Sequence, residues 1–145
     1  MLVTVCTLIA TIVFYDQLCK FFVLKFLSLH ASVVLIKNVL SITPVLNTGG
    51  GFSILPNQTQ FFIAITILAI AFLTYLLFKS KEKTFSYAIA MILAGAIGNL
   101  IDRIRLGAVV DFIDFHVWPV FNIADSFITI GTALLVWRLL KQKRS

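Results

Sequence analysis

Charge is scarce in this sequence. Of its 145 residues only 12% are Asp, Glu, Lys or Arg, about half the share found in an ordinary soluble domain. So little polar surface cannot cover a water-soluble core, and 60% hydrophobic content is too rich for a disordered chain. The net charge of +6 does not imply a nucleic-acid partner, because that needs a basic surface presented to water. Histidine and cysteine are also rare, with two of each. Cys6 and Cys19 are 13 residues apart, roughly 20 Å along a helix, well beyond the ~7 Å reach of a disulfide. Neither has a Cys or His at metal-ligand spacing, so they read as packing residues. No serine accompanies His30 or His116 in a recognisable motif, so neither a metal site nor a nucleophilic triad is expected. No fixed-period repeat is visible.

What remains is a set of long apolar runs. Four stretches, at about 1–24, 61–78, 84–102 and 122–140, approach the ~20 residues that a helix needs to cross a hydrocarbon core. They predict a single integral membrane domain over 1–145. A cleaved leader is not expected, since no Lys or Arg precedes Lys20 and Leu29 is too bulky for the cleavage-site position. Unpaired positive charge falls in the loop at 79–83, Lys79-Ser80-Lys81-Glu82-Lys83, and in Arg138 with the tail at 141–145. The positive-inside rule places both in the cytoplasm and the N-terminus with them. Segments 25–60 and 103–121 then lie outside. On this topology all five aspartates are on the outer side, against five Lys/Arg, while seven Lys/Arg and Glu82 lie inside. The outer segment 25–60 contains Ser41-Ile42-Thr43-Pro44-Val45-Leu46-Asn47, extended in character, with a proline suited to an edge strand. Thr48-Gly49-Gly50-Gly51 asks for unusual dihedrals, and Pro56-Asn57 marks the turn into the second span.

Ionisable side chains at membrane depth are costly and point to function. Asp16 and Lys20 are i, i+4 and share a helix face. They can be a self-neutralising pair, with Lys20 snorkelling to the interface, or part of a site. Asn99, Asp102 and Arg103 form one polar patch at the end of the third span. A helix C-terminus accounts for Arg103 and Arg105 but not for Asn99, a turn deeper. Val109-Val110-Asp111-Phe112-Ile113-Asp114-Phe115 sets acids among bulky apolar residues, which disfavour the charged carboxylate. If this run is extended, Asp111 and Asp114 face opposite sides. In Phe121-Asn122-Ile123-Ala124-Asp125, Asn122 and Asp125 can be a capping box or can bring a second acid to the first. Two carboxylates sharing one site cannot both ionise cheaply, so one holds a proton near neutral pH. That is the arrangement of an aspartic protease.

Five blocks carry a family likeness, in order: Asp16-Gln17-Leu18-Cys19-Lys20; Asn47-Thr48-Gly49-Gly50-Gly51-Phe52-Ser53; Gly95-Ala96-Ile97-Gly98-Asn99-Leu100-Ile101-Asp102-Arg103; Val109 to Asp114; and Phe121 to Ser126. Together they resemble the bacterial lipoprotein signal peptidases (signal peptidase II) over nearly the whole chain. The resemblance implies an all-α integral membrane protein: a four-transmembrane-helix bundle with a small extracytoplasmic β cradle and a short amphipathic helix. It implies an aspartic endopeptidase of the inner membrane, acting near the periplasmic face. Such an enzyme cuts diacylglyceryl-modified prolipoproteins just before the lipidated cysteine. By motif, Asp111 and Asp125 correspond to the catalytic pair. Asp16, Lys20, Asn47, Gly49, Asn99, Asp102, Arg103, Asn122 and Ala124 correspond to positions that support the pair, the substrate and the fold. No cofactor or metal is expected, and the partners are the substrate and membrane lipid, with the enzyme a monomer.

Two departures stand out. Asp111 and Asp125 are only 14 positions apart, closer than is usual in the family, so the loop over the site is shortened. Gly50-Gly51 replaces residues that are commonly alanine, which loosens the cradle locally. The competing class is a proton-coupled transporter, which would need protonatable groups through the membrane depth rather than aspartates gathered on one side.

Overall fold

The computed structural model describes residues 1–49 and 58–142. The Gly50-Gly51 substitution, the Pro56-Asn57 turn signal and the tail charges Lys143 and Arg144 lie outside the described residues. Seven elements follow one another: α1 (Leu2–Phe26), β1 (Val33–Ile36), β2 (Leu40–Asn47), α2 (Thr59–Lys79), α3 (Lys83–Leu106), β3 (Val109–Asp114) and α4 (Ile123–Gln142). The four helices are each long and apolar enough to cross a membrane. α2 buries none of its residues against the rest of the protein. A helix that is apolar all round yet covered by so little protein needs lipid as its surroundings. Cys6, expected as a packing residue, is exposed on the outside of α1, where a small apolar side chain faces lipid at no cost.

α3 is the centre of the bundle and packs against all three other helices. Its buried face is rich in small residues, among them Ser86, Ala88, Ala90, Ala94, Gly95 and Gly98. Between spans in lipid, close backbone approach is the main source of packing attraction. At Gly95 an added Cβ would collide with the carbonyl oxygen of Ala124, and at Gly131 it would come within 2.7 Å of the carbonyl oxygen of Ala88. The two helices therefore meet backbone to backbone along their length. Glu82 caps the start of α3, its carboxylate accepting from the N–H groups of Thr84 and Phe85. Gly107 ends it at φ +73°. A Cβ there would meet nothing within 4 Å, so the left-handed backbone, not space, is what asks for glycine.

The strands form one antiparallel sheet in the order β1-β2-β3. β2 is therefore central, not the edge strand that Pro44 suggested. The register between β2 and β3 slips by one residue between Ile42 and Val45, and this bulge is where a residue without an N–H can sit inside a sheet. Beyond the bulge Val45 faces Asp111 and Asn47 faces Val109. The hydroxyl of Thr59 donates to the Gly107 carbonyl at 2.7 Å, which ties the start of α2 to the end of α3. No short amphipathic helix occurs among the described residues. The loop from β3 to α4 is irregular and is clamped where Phe121 exchanges backbone hydrogen bonds with Ile113.

Candidate active site

The polar residues of α1, α3, β3 and the start of α4 meet at the end of the bundle that carries the sheet. Lys20 is 2% exposed and Asp16 is fully buried, so Lys20 does not snorkel. Its ammonium lies 2.8 Å from Asp16 Oδ2 and 2.7 Å from Asp102 Oδ2, and donates to Asn99 Oδ1 at 3.1 Å. All three of its protons are used. The remaining carboxylate capacity is satisfied by neighbours. Asp16 Oδ1 accepts from the N–H of Ala124, and Asp102 accepts from the N–H of Val110 and from Gln17 Nε2. One buried lysine thus joins α1 to α3, and its two acids extend the join to β3 and α4.

The lysine also sets the direction of the next shell of amides. A lysine can only donate, so Asn99 must turn its oxygen inward. Its Nδ2 then points outward and donates to Asp125 Oδ1 at 2.8 Å. Asn122 Nδ2 donates to Asp111 Oδ1 at 2.7 Å and to Asn99 Oδ1 at 3.1 Å, while its Oδ1 accepts from the Asp125 N–H at 2.8 Å. Asn122 is therefore the N-cap that its position suggested, but Asp125 does not close a capping box. Its carboxylate is taken up by Asn99 instead. From the sheet, Asn47 Nδ2 reaches Asp111 Oδ2 at 3.1 Å, with its own oxygen held by the Gly49 N–H. Arg103 donates to the Gly49 carbonyl at 3.0 Å and stacks over the Phe62 ring. It thereby fastens the end of β2 to α3.

Asp111 and Asp125 line one cavity of about 660 Å³, together with Asn47, Asn99 and Arg103. Its apolar wall includes Phe115, Trp118, Pro119 and Val120, so the short loop lines the site. Asp111 is pushed up to about 7, first by burial and then by the charge of Asp125. Hydrogen bonds from Asn47 and Asn122 and the charge of Lys20 oppose the rise. A carboxyl group that keeps its proton up to about pH 7 can donate a hydrogen bond to a carbonyl, and a second carboxylate on the same cavity can take a proton from water when it is ionised. No group of three or more His, Cys, Asp or Glu is placed to hold a metal among the described residues.

Asp114 lies on the other face of β3, as strand alternation required. It accepts from Thr43 and from the backbone N–H of His116. Here the structure corrects the sequence reading. Ser41 Oγ and His116 Nε2 are 3.2 Å apart, and His116 Nδ1 is 3.4 Å from Asp114 Oδ1. This has the order of a nucleophilic triad, assembled from residues that the sequence does not place together. Ser41 is fully buried and does not line the cavity, so no substrate carbonyl can reach its hydroxyl. The trio serves to pin the loop after β3 to β2. Gln17 was also missed. It bonds Asp16, Asp102 and the Gly98 carbonyl, and its place directly after Asp16 was the only signal available.

Residues 8–141 match the family model described as signal peptidase (SPase) II. The chain belongs to that family. Among signal peptidase II relatives, the lipoprotein signal peptidase of Halothermothrix orenii is 42% identical over 134 residues, covering 92% of each chain. That of Caldicellulosiruptor bescii is 49% identical over 127 residues, covering 88% of this chain and 84% of the relative. A solved structure described as a bacterial membrane enzyme, determined by the in meso method at 2.3 Å resolution, superposes with a TM-score of 0.93 at 36% identity. The match covers 97% of this chain and 89% of that one. A second, at 1.9 Å resolution, gives 0.88 at 37% identity, covering 95% and 93%.

Proposed function

We propose that this signal peptidase II is an aspartic endopeptidase in which Asp111 and Asp125 are the catalytic pair. It removes signal peptides from prolipoproteins, cutting before the cysteine that carries diacylglycerol. The observation that carries the reading is the meeting of these two carboxylates, from different elements, on one cavity, with Asp111 held near 7. The ionised member takes a proton from a water molecule as that water attacks the scissile carbonyl. The protonated member donates to the carbonyl oxygen as it gains charge. Return of a proton to the leaving amine then breaks the C–N bond, and the pair regains its starting state. Asn99 and Asn122, each oriented by a fixed neighbour, hold the carboxylates in place without supplying a proton. In the membrane both termini face the cytoplasm, the site lies near the periplasmic face, and the enzyme acts as a monomer.

The test uses purified protein in detergent micelles with a diacylglyceryl-modified prolipoprotein, followed by gel shift. Asp111→Asn and Asp125→Asn should each abolish cleavage, while Asp114→Asn should retain most of it. Ser41→Ala, serine-directed reagents and chelators should leave it intact. Loss in Asp114→Asn with activity kept in Asp111→Asn would overturn the assignment, and so would loss in Ser41→Ala with the fold preserved.

A further inference from the structure

A second hollow, of about 260 Å³, is lined by Lys20, Phe21, Leu24 and Lys25 of α1 and by Asp102, Arg105 and Leu106 of α3. Lys20 and Asp102 form its floor and are already paired. Lys25 and Arg105 are not. All six acids of the chain lie among the described residues, and neither cation forms an ion pair with any of them. Both are exposed, one in the last turn of α1 and the other in the last turn of α3. A cation in the last turn of each helix suits the macrodipole. That does not account for a hollow between them, nor for its walls. Phe21, Leu24 and Leu106 are all exposed large apolar side chains, at the ends of helices long enough to span a membrane. The one acid that lines the hollow, Asp102, is already paired with Lys20, so Lys25 and Arg105 leave it with excess positive charge.

We infer that this hollow is a binding site for an anionic phospholipid. Its phosphate sits between Lys25 and Arg105, and an acyl chain runs along Phe21, Leu24 and Leu106. A phosphodiester supplies the missing negative charge at headgroup depth. The attached chain packs along the apolar surface at the ends of these spans, so one molecule answers both features. A soluble anion answers only the first. Each basic residue near a membrane surface strengthens attraction to anionic lipid by about fivefold in affinity, so removing both weakens it about thirtyfold.

The experiment titrates phosphatidylglycerol into neutral detergent micelles holding the purified full chain and counts bound lipid by native mass spectrometry. Phosphatidylcholine and inorganic phosphate are run in parallel. Parent protein and Lys37→Gln, which removes an exposed cation in the β1–β2 turn, should retain phosphatidylglycerol equally and in preference to phosphatidylcholine. Lys25→Gln/Arg105→Gln should lose that preference, and Lys25→Arg should keep it. Retention by the double variant equal to that of the parent overturns the site, as does equal binding of the two lipids by the parent. Inorganic phosphate that displaces the lipid at millimolar concentration overturns the acyl-chain half and leaves only an anion site. All the variants change exposed side chains, and circular dichroism of each checks that the bundle is intact.

Discussion

Lys20 donates to Asp16, Asp102 and Asn99 at once, with almost no contact with solvent. Removing one member of such a buried set leaves the others charged and unanswered, at a typical cost of about 3–5 kcal/mol. Lys20→Met should therefore lower the melting temperature in micelles sharply, and cleavage should be lost with it. Asp111 gives a prediction of opposite sign. Its folded-state pKa of about 7 lies above the ordinary carboxylate value of about 4. The cost of burying its charge is absent below pH ~4, grows as pH rises towards 7, and is complete above that. Asp111→Asn should thus melt higher than the parent at pH 8, with the advantage fading as pH falls towards 4, as read by thermal unfolding in detergent. In the parent, kcat/KM should decline above pH ~7, because ionising Asp111 beside Asp125 removes the proton donor.

At the scale of elements, the α3–α4 contact holds the site together. Asp125 and Ala124 belong to α4, whereas Asn99 and Asp102 belong to α3, and the two helices are brought close by glycine against carbonyl. Gly131 does not itself line the cavity, and a Cβ there would lie 2.7 Å from the Ala88 carbonyl, 2.9 Å from Ile92 Cγ1 and 3.0 Å from Met91 Cβ. Backbone cannot yield as a flexible side chain can. Gly131→Val should cost about 1–3 kcal/mol through overpacking and should lower the melting temperature measurably. Gly107→Ala should cost about 1 kcal/mol for a different reason, its φ of +73°, and should leave the bundle contacts unchanged. The sheet works likewise by position. The bulge at Thr43-Pro44 sets the register that brings Asn47 diagonally across from Asp111. A slip of one residue would turn Asn47 to the opposite face.

On the scale of the whole molecule, charge sorts by end. Arg138 of α4 pairs with Glu82 at the start of α3 at 2.7 Å, at the end of the bundle opposite the sheet and the five aspartates. With the positive end in the cytoplasm, reporter fusions at Lys81 and Asn57 should report inside and outside respectively, and the reverse result would invert the proposed orientation. On the proposed placement of the site at the membrane–water boundary, the diacylglyceryl group is expected to select one bond of a long peptide by fixing the depth of the cysteine, a contribution of orientation, since its partition into lipid is gained whether or not the enzyme is present. One prolipoprotein compared with and without that group, in the same micelles, should be cleaved only in the lipidated form, and equal cleavage would refute the positional role.

The apolar runs determined the four helices directly, because a ~30 Å hydrocarbon layer demands about 20 residues whatever the packing. Strand alternation likewise separated Asp111 from Asp114 before any contact was known. Motif order then pointed to the residues that gather around the cavity. What local rules could not supply is which faces meet. Periodicity pairs Lys20 with Asp16 one turn away, but its second acid, Asp102, is on another helix, and Asn99 is 79 positions distant. The same limit hid the role of Gln17, the central place of β2 despite Pro44, and the meeting of Ser41 with His116. It also left open whether Asp125 would close a cap or turn to Asn99. A buried charge takes whichever partner the bundle brings within hydrogen-bonding distance, and helix packing across the chain, not spacing along it, decides that distance.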